Sequence, residues 1–403
     1  MAKQSLLINV DELWLKGGNR PRLMKELKNH IKELFKSFEF PTIFENVNQR
    51  FVVNTQSEIS NELLEALQKV PGIYSIIPAS LMEKDHELSD IWEAVDKEVE
   101  TWFDGSDELV TFKVEGHRTD KQFPKNSMEI ERLVGAYCLT KYDGKLKVNV
   151  HKPKHRLDIK VLRDSIAVSS RKIIGLGGLP WGTSGHLITM LSGGFDSPVA
   201  SYLMAKRGCK QSFIFFYAYP FVGDEVKEKI LKLTSILGTF QAFSKLYIVP
   251  FGDVQKKVSG ICEESYRTIL FRKMMVETSN ILADRVKASA LLTGDALGQV
   301  SSQTIGNISI IDASSKRPIF RPLLGLNKRD IIKLSEQIGT HDTSVIPHDD
   351  ACSLFAPKSP VLNPDKRYWH RFESENDLTA LLTEALDKAE VFQVSIRGEL
   401  TKV

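Results

Sequence analysis

The 403-residue sequence is poor in cysteine and has no long apolar run. Its four cysteines, Cys138, Cys209, Cys262 and Cys352, stand far apart without a CxxC pair. That spacing argues against a zinc site, a disulfide framework or an iron–sulfur cluster. No stretch approaches the roughly 18 apolar residues of a membrane span, and the first residues lack a signal-peptide pattern. We therefore expect a cytoplasmic protein without a membrane partner, long enough for two or three domains.

The net charge of +3 hides a contrast between two segments. Residues 116–175 contain fourteen Lys and Arg against six Asp and Glu, whereas residues 51–100 contain three against eleven. The first segment therefore carries a charge of +8 and the second −8. A basic segment is typical of a surface that binds nucleic-acid phosphates, but also of an ordinary solvated face. The charge alone leaves both interpretations open.

The most informative stretch is Ser192–Pro198 (SGGFDSP), which stands between two predicted elements. His186–Leu191 before it is short and apolar enough for a buried strand, and Val199–Arg207 after it predicts a helix. We expect Pro198 at the first helical position, Ser197 as its cap, and Gly208 at its end. A strand, a glycine turn and a helix start together point backbone N–H groups at an anion.

The residues inside this turn favour a nucleotide. Gly193 and Gly194 let a phosphate approach the backbone, while the carboxylate of Asp196 would repel it unless a cation lay between them. That combination indicates magnesium and a nucleotide. No Lys-Ser/Thr pair follows the glycines, so the turn is not a Walker loop. The alternative is an ordinary strand–helix turn rich in small residues.

The order of predicted elements indicates an α/β protein with three domains. Residues 1–75 alternate strands and helices as a ferredoxin-like unit does, and residues 76–172 predict a second small α/β domain. In residues 173–403, apolar strands alternate with helices, which predicts a doubly wound parallel sheet. Near the end, Leu378–Phe392 is expected to form one helix.

Several ordered motifs extend over roughly 350 residues: Glu12–Arg20, Phe112–Glu129, Gly177–Pro180, Ser192–Ala200, Ser265–Met275, Thr293–Thr304, Arg321–Lys328 and Gly339–Pro360. Together they resemble the tRNA 4-thiouridine synthetases, a family of tRNA sulfurtransferases also tied to thiamine biosynthesis. These enzymes combine a THUMP domain with a PP-loop ATP pyrophosphatase domain, whose loop has the pattern SGGxDS. The resemblance implies that residues 76–172 are the THUMP domain and residues 173–403 the PP-loop domain.

The resemblance implies an ATP- and Mg²⁺-dependent enzyme. It would adenylate uridine 8 of tRNA and replace the 4-oxygen with persulfide sulfur carried on Cys352, giving 4-thiouridine. Asp196, which would hold magnesium, and Lys328 would join Cys352 as catalytic residues. The implied nucleotide contacts are Met190, Leu191, Ser192, Gly193, Gly194, Phe195, Asp196, Ser197, Phe215, Phe216, Arg272, Gly294 and Gln303. The apolar members could equally be core residues, and Arg272 a surface residue.

Lys328 is expected at the first position of a helix, which is unusual for a lysine. Asn327 predicts a helix N-cap, and the helix dipole disfavours a cation at the first position of a helix. This misplacement indicates an anion nearby, with a plain surface lysine as the alternative.

The family also implies RNA contacts. Lys16, Asn19, Arg20, Arg118, Lys121 and Lys125 lie in matching motifs that would hold the acceptor end of tRNA, and the relatives are homodimers. Each of these residues could also be an ordinary solvated side chain.

The sequence departs from many relatives in two places. Ala351 stands where they have a second cysteine, and the chain stops at Val403, too soon for a C-terminal rhodanese domain. We therefore expect a short form that takes sulfur from a cysteine desulfurase or another persulfide donor. Cys262 or Cys209 acting as a resolving partner remains an alternative, and the thiamine role becomes doubtful.

Three further functions remain open at this stage. One is a PP-loop enzyme that delivers nitrogen instead of sulfur, and another is a paralogue that binds tRNA without modifying it. The third is sulfur transfer toward the thiamine thiazole.

Overall fold

The computed structural model describes residues 3–15, 17–47, 50–55, 59–85, 87–103, 105, 108–347 and 357–403. The chain divides into two compact units. The first contains residues 1–14, 38–68 and 73–177, and the second contains residues 15–37, 69–72 and 178–403. Helix α1 (Arg20–Ser37) thus belongs to the second unit, although it lies within the predicted N-terminal domain. The boundaries expected near residues 75 and 172 stay predictions.

The first unit is built on a mixed sheet. Its strands are β1 (Lys3–Val10), β2 (Thr42–Val47), β3 (Arg50–Thr55), β4 (Ile73–Glu83), β5 (Val110–Arg118), β6 (Leu146–Val148), β7 (His155–Val161), β8 (Ser165–Ser169) and β9 (Ile173–Ile174). They lie in the order β2-β3-β1-β4-β8-β7-β5-β6, with β9 paired to β4. β1 runs antiparallel to β3 and β4, whereas β5 runs parallel to β6 and β7.

The helices of this unit are α2 (Asn61–Gln68), α3 (Trp92–Glu100) and α4 (Ser127–Lys141). In β5, Val110, Phe112 and Val114 are buried and alternate with partly exposed residues, as expected for a strand with one covered face. Helix α4 begins with a capping box. The Glu129 N–H donates to Asn126 at 3.0 Å, and the Asn126 N–H donates to the Glu129 carboxylate at 2.6 Å.

The second unit contains the predicted doubly wound sheet. Its strands are β10 (His186–Met190), β11 (Lys210–Tyr217), β12 (Ser244–Pro250), β13 (Ala290–Leu292), β14 (Ile319–Phe320), β15 (Glu390–Val394) and β16 (Leu400–Lys402). Their order is β14-β13-β10-β11-β12-β15-β16. The first five run parallel, and β15 and β16 add antiparallel pairs. Strand β11 is buried over seven of its eight residues, because helices cover both faces of a parallel sheet.

Besides α1, the helices of this unit lie mostly between its strands. They are α5 (Asp196–Lys206), α6 (Asp224–Gly238), α7 (Gly252–Ile261), α8 (Arg267–Val286), α9 (Ile305–Ala313), α10 (Lys328–Gln337), α11 (His341–Val345), α12 (Lys366–Glu375) and α13 (Thr379–Asp387). The largest apolar core packs around β11 and α8. Within the described ranges, no helix is both long and apolar enough to cross a membrane.

The expected helix Leu378–Phe392 is wrong in its second half. Helix α13 ends at Asp387, and Glu390–Val394 forms strand β15, which pairs antiparallel with β12. The residues Val391, Phe392 and Val394 are β-branched or aromatic and suit a strand. These residues form a strand because they pair with the edge of β12, and the local sequence does not show that this edge is available.

Candidate active site

The strand order creates a crevice at the carboxyl ends of three strands. The central strand β10 runs parallel to β11 on one side and to β13 on the other, so successive connections leave in opposite directions. Ligands of open α/β sheets bind at such a switch point. A cavity of about 510 Å³ lies there.

The cavity collects most of the nucleotide contacts that the sequence implies. Those lining it are Met190, Leu191, Ser192, Gly194, Asp196, Ser197, Phe215, Phe216, Arg272, Gly294 and Gln303. Gly193 and Phe195 belong to the same loop. The sequence-based assignment missed other lining residues, among them Thr268, Asp295, Gln299 and Ser302.

The loop that begins at Ser192 is closed by a serine pair. The Ser192 N–H donates to Oγ of Ser197 at 2.8 Å, and the two hydroxyls lie 3.0 Å apart. Ser197 therefore does not cap α5 as expected: the helix begins at Asp196, and Pro198 is its third residue. Gly208 ends the helix with φ of 79°, as predicted. The helix N-terminus faces the cavity from within the loop, which suits an anion.

Asp196 is the meeting point of three segments. The Lys328 ammonium lies 2.8 and 3.0 Å from the two oxygens of its carboxylate, and Gln299 donates to it at 3.0 Å. The same ammonium lies 5.3 Å from the centre of the Phe195 ring. Asn327 caps α10 by accepting from the Asp330 N–H at 3.0 Å, as predicted. The anion expected beside Lys328 is thus, in this structure, the Asp196 carboxylate.

A second carboxylate forms part of the cavity wall. Asp295 is buried and accepts from Thr293 at 2.8 Å, from Arg321 at 3.0 Å and from Arg272. Burial alone would raise the pKa of Asp295, but the charge of Arg272, then Thr293 and Arg321, lowers it to about 2. Asp295 is therefore ionised and fixes the Arg272 guanidinium at the cavity. The only signal in the sequence was its place inside the motif Thr293–Thr304.

Gly294 lets the segment after β13 touch the loop after β10. A Cβ atom at this position would lie 2.5 Å from the Ser197 nitrogen and 2.6 Å from the Asp196 carbonyl carbon. Both neighbours are backbone atoms, which cannot turn aside. A glycine is therefore required for this contact, which brings Asp295 and Gln299 to the cavity.

The short helix α11 is tied to the same loop. The Ser344 hydroxyl donates to the Gly194 carbonyl at 3.2 Å. From the other side, the buried Lys229 ammonium donates to the carbonyls of Ser344 and Ile346 at 3.0 and 2.6 Å. A cation at the C-terminus of a helix is favourable. These bonds fix the chain as far as Ile346.

Cys352, the expected sulfur carrier, lies outside the described residues. After that segment, Pro357 and Pro360 line the cavity. The other cysteines are poor nucleophiles: burial raises the pKa of Cys138 to about 12, of Cys209 to about 11, and that of Cys262 above its usual value.

The expected RNA contacts fall in both units. Asn19 is exposed and Arg20 half-buried in the second unit, and Lys16 lies outside the described residues. In the first unit Lys121 is exposed, while Lys125 pairs with Glu87 at 3.0 Å. The Arg118 guanidinium donates to the Phe123 carbonyl at 3.0 Å, so it also holds its own loop together.

A cluster in the first unit contains side chains that can bind a metal ion, but cationic side chains lie beside it. Ligand atoms of Glu115, His117 and Asp158 lie within 4.8 Å of one another. Lys113 and Arg156 each pair with Glu115 at 3.1 Å. These cations already neutralise the cluster and disfavour a metal ion.

Comparison with known proteins agrees with this architecture. Residues 5–76 match the ThiI ferredoxin-like domain, residues 85–171 the THUMP domain, and residues 182–378 the family described as thiamine biosynthesis protein (ThiI). The chain is 38% identical over 390 residues to a probable tRNA sulfurtransferase of Geobacillus kaustophilus, covering 96% of this chain and 95% of the relative. A probable tRNA sulfurtransferase of Alkaliphilus metalliredigens is 35% identical, covering 98% and 99%.

A solved structure is similar over the same length. The crystal structure of a 4-thiouridine synthetase–RNA complex with bound ATP matches with a TM-score of 0.87 and 27% identity, covering 97% of this chain and 99% of the other. Fold and site thus define a THUMP-containing protein with a PP-loop domain and a ferredoxin-like domain, which confirms the predicted fold class. The degree of identity then places the chain in a particular family: it belongs to the tRNA sulfurtransferases.

Proposed function

We propose that this enzyme binds ATP in the cavity at the end of β10, adenylates uridine 8 of tRNA, and replaces the 4-oxygen with sulfur from Cys352. The observation that carries the proposal is that the Ser192–Ser197 loop and Arg272 line one cavity, while Lys328 contacts Asp196 in its wall. Loop N–H groups and two cations suit a triphosphate. The bound ATP and RNA of the similar synthetase support the same chemistry here.

In the first step, uracil O4 attacks the α-phosphorus of ATP and pyrophosphate leaves. The 4-oxygen of uracil, which alone would be a poor leaving group, can now leave as part of AMP. Negative charge grows on the departing phosphates, and the loop N–H groups, Lys328 and Arg272 stabilise it. Asp295 holds Arg272 in place for this task, because a fixed donor need not reorganise during the reaction.

The site fits one magnesium ion through a single protein ligand. Mg²⁺ is usually held by one or two carboxylates together with substrate phosphates. Asp196 can fill that role, whereas Asp295 is already engaged by Arg272 and Arg321. Both oxygens of Asp196 contact Lys328, so holding the ion requires the ammonium to turn toward the phosphates. When bound, magnesium supplies charge neutralisation at the phosphates.

In the second step, the terminal sulfur of a Cys352 persulfide attacks C4 of the adenylated base, and AMP leaves. The product is a disulfide between Cys352 and the nucleoside. A second thiol must then attack the Cys352 sulfur, releasing 4-thiouridine and leaving an oxidised Cys352 disulfide. The raised pKa values of Cys209 and Cys262 disfavour both as that thiol, which favours an external one.

Cys352 is close in sequence to two described parts of the site. It stands five residues before Pro357, which lines the cavity, and six after Ile346. Five residues span at most about 18 Å. A cysteine desulfurase or another persulfide donor would load the sulfur. The homodimer expected from the resemblance stays a prediction.

Mass spectrometry of tRNA nucleosides tests the proposal. Wild type and Cys352→Ala are incubated with tRNA, ATP, Mg²⁺, a cysteine desulfurase, cysteine and a thiol reductant. We expect 4-thiouridine at position 8 from wild type only, while both proteins release pyrophosphate with tRNA. Cys138→Ala, which removes a buried thiol, serves as the matched control and keeps activity.

Other outcomes contradict specific parts. Equal 4-thiouridine from wild type and Cys352→Ala would move the sulfur chemistry away from Cys352. When ammonium chloride replaces the sulfur donor, pyrophosphate release with nitrogen incorporation into the tRNA would favour an amidating enzyme. Normal tRNA binding without any pyrophosphate release would leave an RNA-binding paralogue.

A further inference from the structure

Two large aromatic side chains are exposed just beyond the carboxyl end of β11. Tyr219 is 60% exposed and Phe221 43% exposed. Strand β11 ends at Tyr217, and its residues Phe215 and Phe216 line the candidate active site. The exposed pair therefore lies at the edge of the sheet where the cavity opens.

A series of rings joins the cavity wall to this surface. The ring centres of Phe215 and Tyr217 lie 6.3 Å apart, and those of Tyr217 and Tyr219 lie 6.0 Å apart. Both pairs are inclined by 33°. These separations are within the range of aromatic contacts. Tyr219 is the solvent-facing end of a continuous aromatic series that starts inside the cavity.

The surroundings hold this segment in one conformation. The Tyr217 hydroxyl donates to Asp224 at 3.0 Å, and the Phe251 N–H donates to the Tyr217 carbonyl at 2.7 Å. At Gly252, an added Cβ would lie 2.2 Å from the Tyr219 carbonyl oxygen, so the two segments are in close backbone contact. The Tyr219 ring is thus exposed on a fixed backbone, which reduces the entropy lost on binding.

We propose that Tyr219 stacks on the base of a nucleotide adjacent to the target uridine of the tRNA. This inference rests on the proposed function. A base that reacts inside a cavity must leave the helical stack, and its neighbour then loses a stacking partner. Exposed aromatic rings are the usual platforms for such unstacked bases in RNA recognition. The ring series leads from the cavity, where the uracil reacts, to Tyr219.

Neighbouring charges favour a base over a phosphate. Asp224 and Glu225 follow within six residues of Tyr219. These carboxylates would repel the RNA backbone but leave the face of an aromatic ring available. The neutral, flat face of a nucleobase fits Tyr219 better than a phosphate does.

The test is a coupling experiment between protein and RNA. Dissociation constants are measured by fluorescence anisotropy, without ATP or sulfur donor, for wild type, Tyr219→Ala, Tyr219→Phe and Tyr219→Leu. The RNAs are intact tRNA and three tRNAs made abasic at the target uridine, its 5′ neighbour or its 3′ neighbour. Phe320→Ala, which removes a 41% exposed ring on the edge strand β14, is the matched control.

We expect Tyr219→Ala to weaken binding of intact tRNA about 5- to 100-fold, the range for loss of one base–aromatic stack. Tyr219→Phe should bind as wild type does, and Tyr219→Leu should not. On tRNA lacking one neighbouring base, wild type and Tyr219→Ala should bind equally. Unchanged thermal unfolding of the variants, together with the Tyr219→Phe rescue, separates stacking from a folding defect.

Three results would overturn the inference. In the first, Tyr219→Ala binds intact tRNA as tightly as wild type does. In the second, the substitution weakens binding by the same factor on all four RNAs. In the third, the difference in affinity between the two proteins disappears only on the tRNA that lacks the target base. Because binding is measured without catalysis, failure of the thiolation assay would leave this test interpretable.

Discussion

The Lys328 ammonium contacts both carboxylate oxygens of Asp196, at 2.8 and 3.0 Å, although 132 residues separate them. Each residue stands near the start of a helix, α10 and α5 respectively. The dipole of α5 favours the carboxylate, whereas the dipole of α10 disfavours the ammonium. The Asp196 carboxylate therefore offsets the unfavourable position of Lys328, and the phosphates of ATP would offer the ammonium an alternative partner.

Replacing Lys328 tests its role toward the phosphates. We expect Lys328→Met to slow tRNA-dependent pyrophosphate release by a factor of about 100 to 1000, as loss of one charge-stabilising donor does. Lys333→Met, which removes an exposed lysine from the same helix, is the control and should keep the wild-type rate. Equal rates for the two variants would exclude Lys328 from the reaction.

Asp196→Asn tests the magnesium assignment by a different measurement. In wild type, Mg²⁺ should tighten ATP binding, because Asp196 would hold the ion and the ion would neutralise charge on the phosphates. In Asp196→Asn, ATP affinity measured by calorimetry should change far less when Mg²⁺ is added. A magnesium dependence identical to that of wild type would show that Asp196 does not hold the ion.

Alanine substitutions at two glycines of the site should have different effects on stability and on ATP binding. Gly294→Ala places a Cβ 2.5 Å from the Ser197 nitrogen, so we expect lower thermal stability and lost ATP binding. At Gly194 a Cβ meets only the Ser192 hydroxyl, at 3.9 Å, so Gly194→Ala should fold normally and lose ATP affinity alone. Gly325→Ala, where a Cβ meets nothing within 4 Å, is the control for both. Wild-type stability in Gly294→Ala would contradict the close contact.

The cysteines should differ in reactivity at neutral pH. Alkylation by iodoacetamide requires a thiolate, and burial raises the pKa of Cys138 to about 12 and of Cys209 to about 11. Mass spectrometry after brief labelling at pH 7 should therefore find these two unmodified, whereas the proposed role of Cys352 requires that it be modified. Labelling after unfolding in denaturant confirms that all sites can react. Rapid labelling of Cys209 in the folded protein would reopen its role as a resolving partner.

Acid should destabilise the second unit through His30. This side chain of α1 is buried beside Trp181, and among the described residues neither ring nitrogen has a hydrogen-bond partner. Burial lowers the pKa of His30 to about 4, whereas in the unfolded chain it lies near 6.5. At pH values between 6.5 and 4, His30 therefore binds a proton in the unfolded chain but not in the folded chain. The free energy of unfolding falls as the pH drops through this range.

The corresponding experiment compares unfolding free energies at pH 7 and pH 5. His30 should account for a loss of about 2 kcal/mol over this interval, so His30→Leu should show a smaller decline than wild type. His186, whose pKa burial also lowers to about 4, keeps part of the effect in the variant. Replacing the exposed His151 by Leu should leave the decline unchanged. The same decline in His30→Leu would contradict this assignment.

Short-range sequence patterns predicted many of the strands and helices. The apolar run before Ser192 predicted β10, and Asn327 predicted the start of α10. Each signal depends on residues a few positions apart. The end of the chain was harder: Val391–Val394 suits a strand, but only the free edge of β12 fixed it as one.

The sequence by itself determined the alternation of strands and helices, the anion-binding loop, and the family motifs, since those depend on neighbouring residues. Tertiary structure decided which distant side chains meet. It placed β13 beside β10, so that Gly294 touches the loop and Asp295 fixes Arg272. It also brought Lys328 and Gln299 to Asp196. Contacts across more than a hundred residues arise from strand order and packing, which no local pattern encodes.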